Sequence, residues 1–348
     1  MAAEVRPFLP TDLSLVRRLT PSGLSLDAEI SLAHGIHTLG GAVWSSLPLT
    51  DLGTPTLILR DGDRDYVAQF RHHAGDAHAT IVFIAPDIAY CADDRGWLAL
   101  IDAMTAAAGR RGALSLNAEV AETSDAFPLL RRCGFAVYAR QDIWRRLPAP
   151  LNFDPPSGAY TMRESTEADH AALNAFYSSV VPHQVWQADS LPKAERGLIF
   201  EQQGRIVAYF ALHEGRSGVF AQAVLHPDLW PEAETLCRSW LLAIPRAEKL
   251  PLYIAVRRYQ TWLERPLALL GFENWDSQAL LVKHTAARIQ RSARQPALAF
   301  GNVVQAGAGS SRLPPRGKAI KTVDVVRIVA PTLVANPHSR IPFRRQRP

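Results

Sequence analysis

Apolar and polar positions alternate along the chain in two matching series, one on each side of a proline-rich stretch. In the first series Val5-Arg6-Pro7 leads to Thr11-Asp12, and Leu13, Val16 and Leu19 then recur at helical spacing. In the second, Thr161-Met162-Arg163 leads to Glu167-Ala168-Asp169, followed by a helix through Leu173 and Phe176. The spacing from Arg6 to Asp12 equals that from Arg163 to Asp169, and each Asp falls where a helix N-terminus favours a negative charge. Period-two runs follow. Thr56–Arg60 turns at Asp61-Gly62-Asp63 into Tyr66–Arg71, and Leu198–Glu201 turns at Gln203-Gly204 into Arg205–Leu212, which predicts a β-hairpin in each series.

A third strand then ends in proline, at Thr80–Ala85 before Pro86 and at Val219–Leu225 before His226-Pro227. Helices are predicted over Gly96–Gly109 and Pro231–Ile244, then buried strands over Ala113–Val120 and Leu250–Val256. Each series finishes with a short helix ending in Gly-Phe (Gly134-Phe135, Gly271-Phe272) and one more strand. The glycine supplies a left-handed helix stop, and the Phe packs back on the sheet. Each series is thus a β-α-β-β-β-α-β-α-β unit, so the fold class is α/β with two tandem copies, each a mixed, mostly antiparallel sheet flanked by helices. The expected division is an N-terminal unit over 1–147, a linker over 148–159, a C-terminal unit over 160–289, and a tail over 290–348.

Charge separates the tail from the rest. The net charge is +5, yet residues 291–348 hold eleven Lys or Arg against the single acid Asp324, so the preceding part is mildly acidic. The tail also carries Gly307-Ala308-Gly309-Ser310-Ser311 and Pro314-Pro315, a composition that cannot bury enough apolar surface to offset chain entropy, and disorder is expected there. Its positive charge would allow salt-sensitive contact with nucleic acid or another polyanion, but beyond Phe300 and Phe343 it lacks interleaved aromatics for base stacking.

No apolar run reaches bilayer-spanning length and no signal-peptide core follows Met1, so no membrane association and a cytoplasmic location are expected. Cys91, Cys133 and Cys237 are widely spaced and odd in number, as in a reducing compartment. His34-Gly35-Ile36-His37 and His72-His73 have no third ligand at metal spacing, and neither a Walker A sequence nor a nucleophile-elbow pattern occurs.

The opening Arg and Asp, the strand ending in Pro86 or Pro227, and the helix-terminal Gly-Phe, met twice in this order, resemble the GNAT superfamily of acyl-CoA-dependent N-acyltransferases. The resemblance covers nearly all of residues 4–147 and 160–288. It implies acetyl-CoA or another acyl-CoA as cofactor and an amine, of a small molecule or a peptide, as acceptor. It further implies a pantetheine arm held by the proline-terminated strand and a pyrophosphate at the start of the next helix, where free N–H groups and the helix dipole favour an anion. On that likeness the cofactor residues are Val224 and Leu225 on the strand and Ala233 and Thr235 at the two positions the family fills with Gly or Ala.

The sequence departs from the family pattern in places. Trp230 stands where a basic residue is expected, with Glu232 and Glu234 beside it; the first unit has Trp97 at its second glycine position and Asp93-Asp94 just before the helix. A Trp at that position is expected to obstruct the phosphates, which leaves the C-terminal unit as the cofactor site. The family's general-acid Tyr is replaced by Leu130 and Leu267, so no catalytic residue is assigned; Tyr259, His226 and Glu214 are near in sequence without matching a motif. The alternative is a non-catalytic binding or scaffold protein that has kept the fold and lost the cofactor.

Overall fold

The computed structural model describes residues 4–35, 53–61, 64–91, 93–153 and 161–285. The predicted tail, residues 154–159 of the predicted 148–159 linker, His37 and the turn residues Gly62 and Asp63 lie outside them.

The N-terminal half contributes β1 (Glu4–Pro7), α1 (Leu13–Leu19), β2 (Leu24–Ser25), α2 (Ala28–His34), β3 (Thr56–Asp61), β4 (Arg64–Arg71), β5 (His78–Ala85), α3 (Arg95–Arg110), β6 (Ser115–Ala121), α4 (Ala126–Arg132) and β7 (Ala136–Arg146). The C-terminal half contributes β8 (Arg163–Glu164), α5 (His170–Val180), α6 (His183–Ala188), β9 (Arg196–Gln202), β10 (Arg205–Glu214), β11 (Val219–Leu225), α7 (Ala233–Leu242), β12 (Leu252–Arg257), α8 (Glu264–Leu269) and β13 (Glu273–His284).

The repeated landmarks have direct physical roles. Both Arg6 guanidinium nitrogens bond Asp12 at 2.7 Å, and the same Asp carboxylate accepts the Leu9 N–H at 2.9 Å. Arg163 repeats the fork on Asp169 at 2.7 and 2.8 Å, with the Thr166 N–H accepted at 2.8 Å. Each fork ties the first strand of its half to the turn that starts its first helix, satisfying an otherwise orphaned N–H. In the second hairpin Gln203 and Gly204 both have positive φ, 53° and 73°, the two-residue turn whose twist matches the strands. Gly134 and Gly271 sit at φ 88° and 81°, and the Phe after each is buried. Trp97 on α3, edge-on to Tyr66 at 5.2 Å, anchors the first core; Trp240 on α7, stacked on Phe210 at 5.2 Å, anchors the second.

Pairing of the closing strands is not what two self-contained units would give. The described strands form one thirteen-stranded sheet in the order β1-β3-β4-β5-β6-β13-β7-β12-β11-β10-β9-β8, with β2 off this path on β5. The last strand of the C-terminal half, β13, pairs antiparallel with β6, and the last strand of the N-terminal half, β7, pairs antiparallel with β12. β13 and β7 also pair with each other at the centre. Each half therefore completes its sheet with the other's closing strand. Packing follows the pairing: Ala279 and Leu281 of β13 are fully buried in the first core, and Trp144 of β7 packs on the second. Helices cross over as well. Ala28, Leu32 and Ala33 of α2 pack against Phe220 and Ala255 of the C-terminal half, while Asn117 of β6 donates to the Ala188 carbonyl at the end of α6 at 2.7 Å.

Candidate functional site

In both halves a parallel strand pair runs together and then parts. β5 and β6 pair up to Thr80 and Asn117; β11 and β12 pair up to Gln222 and Ala255. Beyond those rungs the two strands of each pair no longer bond one another, and their facing backbone groups must be satisfied otherwise. The two halves solve this with the same chemical group from different sources.

In the N-terminal half the gap is filled by the chain itself. Leu24 and Ser25 pair antiparallel with Ile84 and Phe83, then the Leu26 N–H donates to the Val82 carbonyl at 3.0 Å and the Leu26 carbonyl accepts from the Glu119 N–H at 2.9 Å. In the C-terminal half the bridge is a side chain. Gln260 Nε2 donates to the Ala223 carbonyl at 2.7 Å, and its Oε1 accepts the Arg257 N–H at 3.0 Å. A peptide group closes one splay and a rotatable carboxamide closes the other.

This corrects the expectation for Trp97. It does not lie across a phosphate path but is fully buried in the first core, and the first splay is obstructed instead by Leu24–Leu26. Of the sequence-derived cofactor residues, Val224 and Leu225 lie on β11 beyond the last rung. The Val224 side chain packs with Tyr177, Tyr209 and Tyr259, and that of Leu225 enters the second core. Ala233 and Thr235 lie on the first turn of α7, Ala233 fully buried and Thr235 half-buried. No side chain caps the N-terminus of α7, and its first turn carries Glu234, which pairs along the helix with Arg238 at 2.8 Å. Trp230, 42% exposed, stacks on Trp262 at 5.3 Å beside this helix start. Leu130 and Leu267 are fully buried. His226 pairs with Asp228 at 3.3 Å and Glu214 approaches Arg196 at 3.6 Å.

The two splays flank a half-open polar cleft of about 150 Å³ lined by residues of both halves. Glu119 and Arg257, each two residues beyond the last rung of its strand pair, both line it, as do Thr80 and Gln222 of the rungs themselves. On the α2 side Arg71 donates to Glu29 at 2.8 Å and to Asp27 at 3.1 Å. On the α6 side Arg257 Nη2 donates to Asp189 at 2.8 Å. Glu119 accepts the Ala28 N–H at 3.0 Å and lies 3.4 Å from Gln141 Nε2.

Burial, with the Asp27 charge close by, pushes the Glu119 carboxyl up to about 7, and burial likewise raises Asp27 and Asp189. Burial also lifts the Tyr259 phenol to about 12 despite the nearby Arg257. Carboxyls raised in a cleft are general-base candidates. Sequence reasoning missed Glu119 and Arg257, although a signal existed for Glu119, the one charge in the run Leu116–Val120; Arg257 closes the apolar strand Leu252–Val256 and is followed by Arg258. Among the described residues no group of three or more His, Cys, Asp or Glu side chains is arranged to hold a metal ion. Nor is any described helix long and apolar enough to cross a membrane.

No protein-family model matches the chain, and no curated protein matches it. Solved structures do. A GCN5-related N-acetyltransferase from Sphaerobacter thermophilus superposes with a TM-score of 0.50 at 12% identity, over 82% of this chain and 96% of that one. A tandem GNAT protein from the clavulanic acid biosynthesis pathway also gives a TM-score of 0.50, at 14% identity over 82% of this chain and 99% of its own. Identities this low speak for the fold alone. Together with the repeated strand–helix order and the two splayed strand pairs, they establish that this chain has the fold of the GNAT superfamily, carried twice in tandem.

Proposed function

We propose that the chain is an acyl-CoA-dependent N-acyltransferase that acts on an amine and holds its cofactor in the C-terminal half, over residues 160–289. One observation supports this above the others. The splay between β11 and β12 is an amide receptor, since the Ala223 carbonyl and the Arg257 N–H are both engaged there by the Gln260 carboxamide. A pantetheine arm carries amides of its own, and Gln260 can rotate out of the way, whereas the Leu26 peptide that fills the first splay cannot. One chain therefore has one cofactor site.

On this reading Val224 and Leu225 line the arm, and Ala233 and Thr235 at the start of α7 admit the pyrophosphate. The fit is good at the splay and poor at the helix, where Glu232 and Glu234 supply negative charge. Bound acetyl-CoA would supply an acyl carbon activated as a thioester, whose C–S bond is exchanged for a bond to the acceptor nitrogen. Glu119 receives the proton the amine gives up; a carboxyl near 7 is well matched to that task at neutral pH. Tyr259, half-buried beside Val224, stays protonated at neutral pH and can give its proton to the leaving thiolate.

The non-catalytic alternative has one observation in its favour, that the receptor is occupied by the chain's own Gln260. The two readings part in a thermal-shift and CoA-release experiment on the whole chain. Saturating acetyl-CoA at about 100 times its Kd should stabilise the protein by about 2.7 kcal/mol, with CoA released on adding an acceptor amine. No shift at millimolar acetyl-CoA and no release with any amine of a panel would favour the alternative.

A further inference from the structure

Four side chains on three neighbouring strands, β6, β13 and β7, form a line that ends on Glu119. Gln278 of β13 stands opposite Gln141 of β7 in the register, and Gln141 is fully buried. Gln278 Nε2 donates to Asp276 Oδ2 at 2.9 Å, and Gln141 Nε2 donates to Gln278 Oε1 at 2.9 Å. The same Gln141 Nε2 lies 3.4 Å from Glu119 Oε2. Among the described residues none donates to Gln141 Oε1, although that atom is buried. An acceptor left unpaired at this depth is rare in folded proteins and needs a physical reason.

The reason lies in how the line is oriented. A carboxylate only accepts hydrogen bonds, so Asp276 obliges Gln278 to turn Nε2 toward it and Oε1 toward Gln141. Facing an oxygen, Gln141 must present Nε2 in turn, and Glu119 therefore meets an N–H instead of a carbonyl. Turning the Gln141 amide over would set two carbonyl oxygens against each other; turning both amides over would set the Gln278 oxygen against Asp276. Gln141 Oε1 is left unpaired as the consequence of that orientation. An N–H aimed at a carboxylate favours its ionised form, whereas a turned-over amide would accept from protonated Glu119 and favour that form instead. The other charged groups facing Glu119 are Asp27 at the start of α2, Arg71 of β4, Asp189 after α6 and Arg257 of β12, with the Tyr138 phenol of β7 near them.

We propose that Asp276 is a positioning residue for Glu119, acting through Gln278 and Gln141 to keep the Gln141 N–H turned toward the carboxyl and so to favour its ionised form. That Glu119 then takes a proton from an acceptor amine rests on the acyltransferase reading above; the relay itself does not. The sign of the effect separates the relay from simple charge. Removing the negative charge of Asp276 would, through space alone, make Glu119 easier to ionise, whereas releasing the two amides makes it harder.

The test is the titration of Glu119 in the whole chain, followed by carbon-13 NMR of labelled glutamate carboxyls, with Glu119→Gln to assign the signal. Asp276→Asn keeps the side chain's shape but can donate as well as accept, so it frees both amides to turn over. Its Glu119 midpoint should lie above that of the wild type by about half a pH unit or more, which is about a threefold gain in proton affinity. Gln141→Met, which removes the N–H, should raise the midpoint by a similar amount, and adding Asp276→Asn to it should give no further rise. In the acyltransferase assay the pH of half-maximal kcat/KM should move with the carboxyl midpoint. A midpoint lowered or unchanged in Asp276→Asn, unchanged in Gln141→Met, or raised further in the double variant would each overturn the proposal. Acyl transfer that is absent, or whose pH profile stays fixed while the midpoints move, would count against the acyltransferase reading alone.

Discussion

Leu281 belongs by sequence to the C-terminal half, but in the exchanged sheet it is a core residue of the N-terminal one. Its side chain is fully buried opposite Ala118 on β6, in the same cluster as Leu116, Phe70 and Trp97. Leu281→Ala removes apolar volume from a site walled by sheet on one side and α3 on the other, which has little freedom to collapse. A loss of about 2–5 kcal/mol is expected. Magnitude alone does not identify the partner core; coupling does. Leu116→Val, about 1 kcal/mol by itself, should combine non-additively with Leu281→Ala, with an interaction of about 0.5 kcal/mol or more in urea unfolding. Leu236→Val, in the second core, should add to Leu281→Ala within about 0.5 kcal/mol. The reverse pattern, additivity with Leu116 and coupling to Leu236, would mean that each half keeps its own closing strand.

Other consequences are equally measurable. Glu119 is raised by burial, so the folded state binds an extra proton between the ordinary Glu range and about 7; stability should fall as pH rises through that window, and Glu119→Gln should flatten the fall in pH-dependent melting. In the acyltransferase assay kcat/KM should rise with pH through about 7 in the wild type, as Glu119 ionises, and drop sharply in Glu119→Gln. Since the first turn of α7 carries the acidic Glu234 and no side-chain cap, S-acetyl-pantetheine should compete with acetyl-CoA within about tenfold of its affinity, measured by displacement, and added salt should change acetyl-CoA binding little. Asp12→Ala should cost about 2 kcal/mol in chemical denaturation because the carboxylate is buried under Arg6 and Leu9; Asp169→Ala, at the less buried counterpart, should cost less.

Much of the fold was legible because local rules and global packing agree. The Arg–Asp spacing marked two helix starts, Gln203-Gly204 marked a turn, and Gly134 and Gly271 marked two left-handed stops. The strand exchange was not legible, because β7 and β13 are each long and amphipathic and either could pair with β6 or β12. Periodicity gives a strand's face and leaves its neighbour open. Nor could Leu24–Leu26, too short to register as a strand, be seen as the plug of the first splay, or Gln260 as that of the second. The same limit hid the cavity. Asp27, Glu119, Asp189 and Arg257 are far apart along the chain and meet only through the exchange of strands and helices between the halves.

The central claim is that acyl-CoA enters the splay of the C-terminal half and not that of the N-terminal half. Amide hydrogen exchange, followed peptide by peptide with and without saturating acetyl-CoA, tests it directly. The account predicts added protection over Ala221–Leu225 and over residues 257–263, with Leu24–Asp27 and β5 unchanged. Protection appearing on β5 and Leu24–Asp27, or at neither splay, would contradict it.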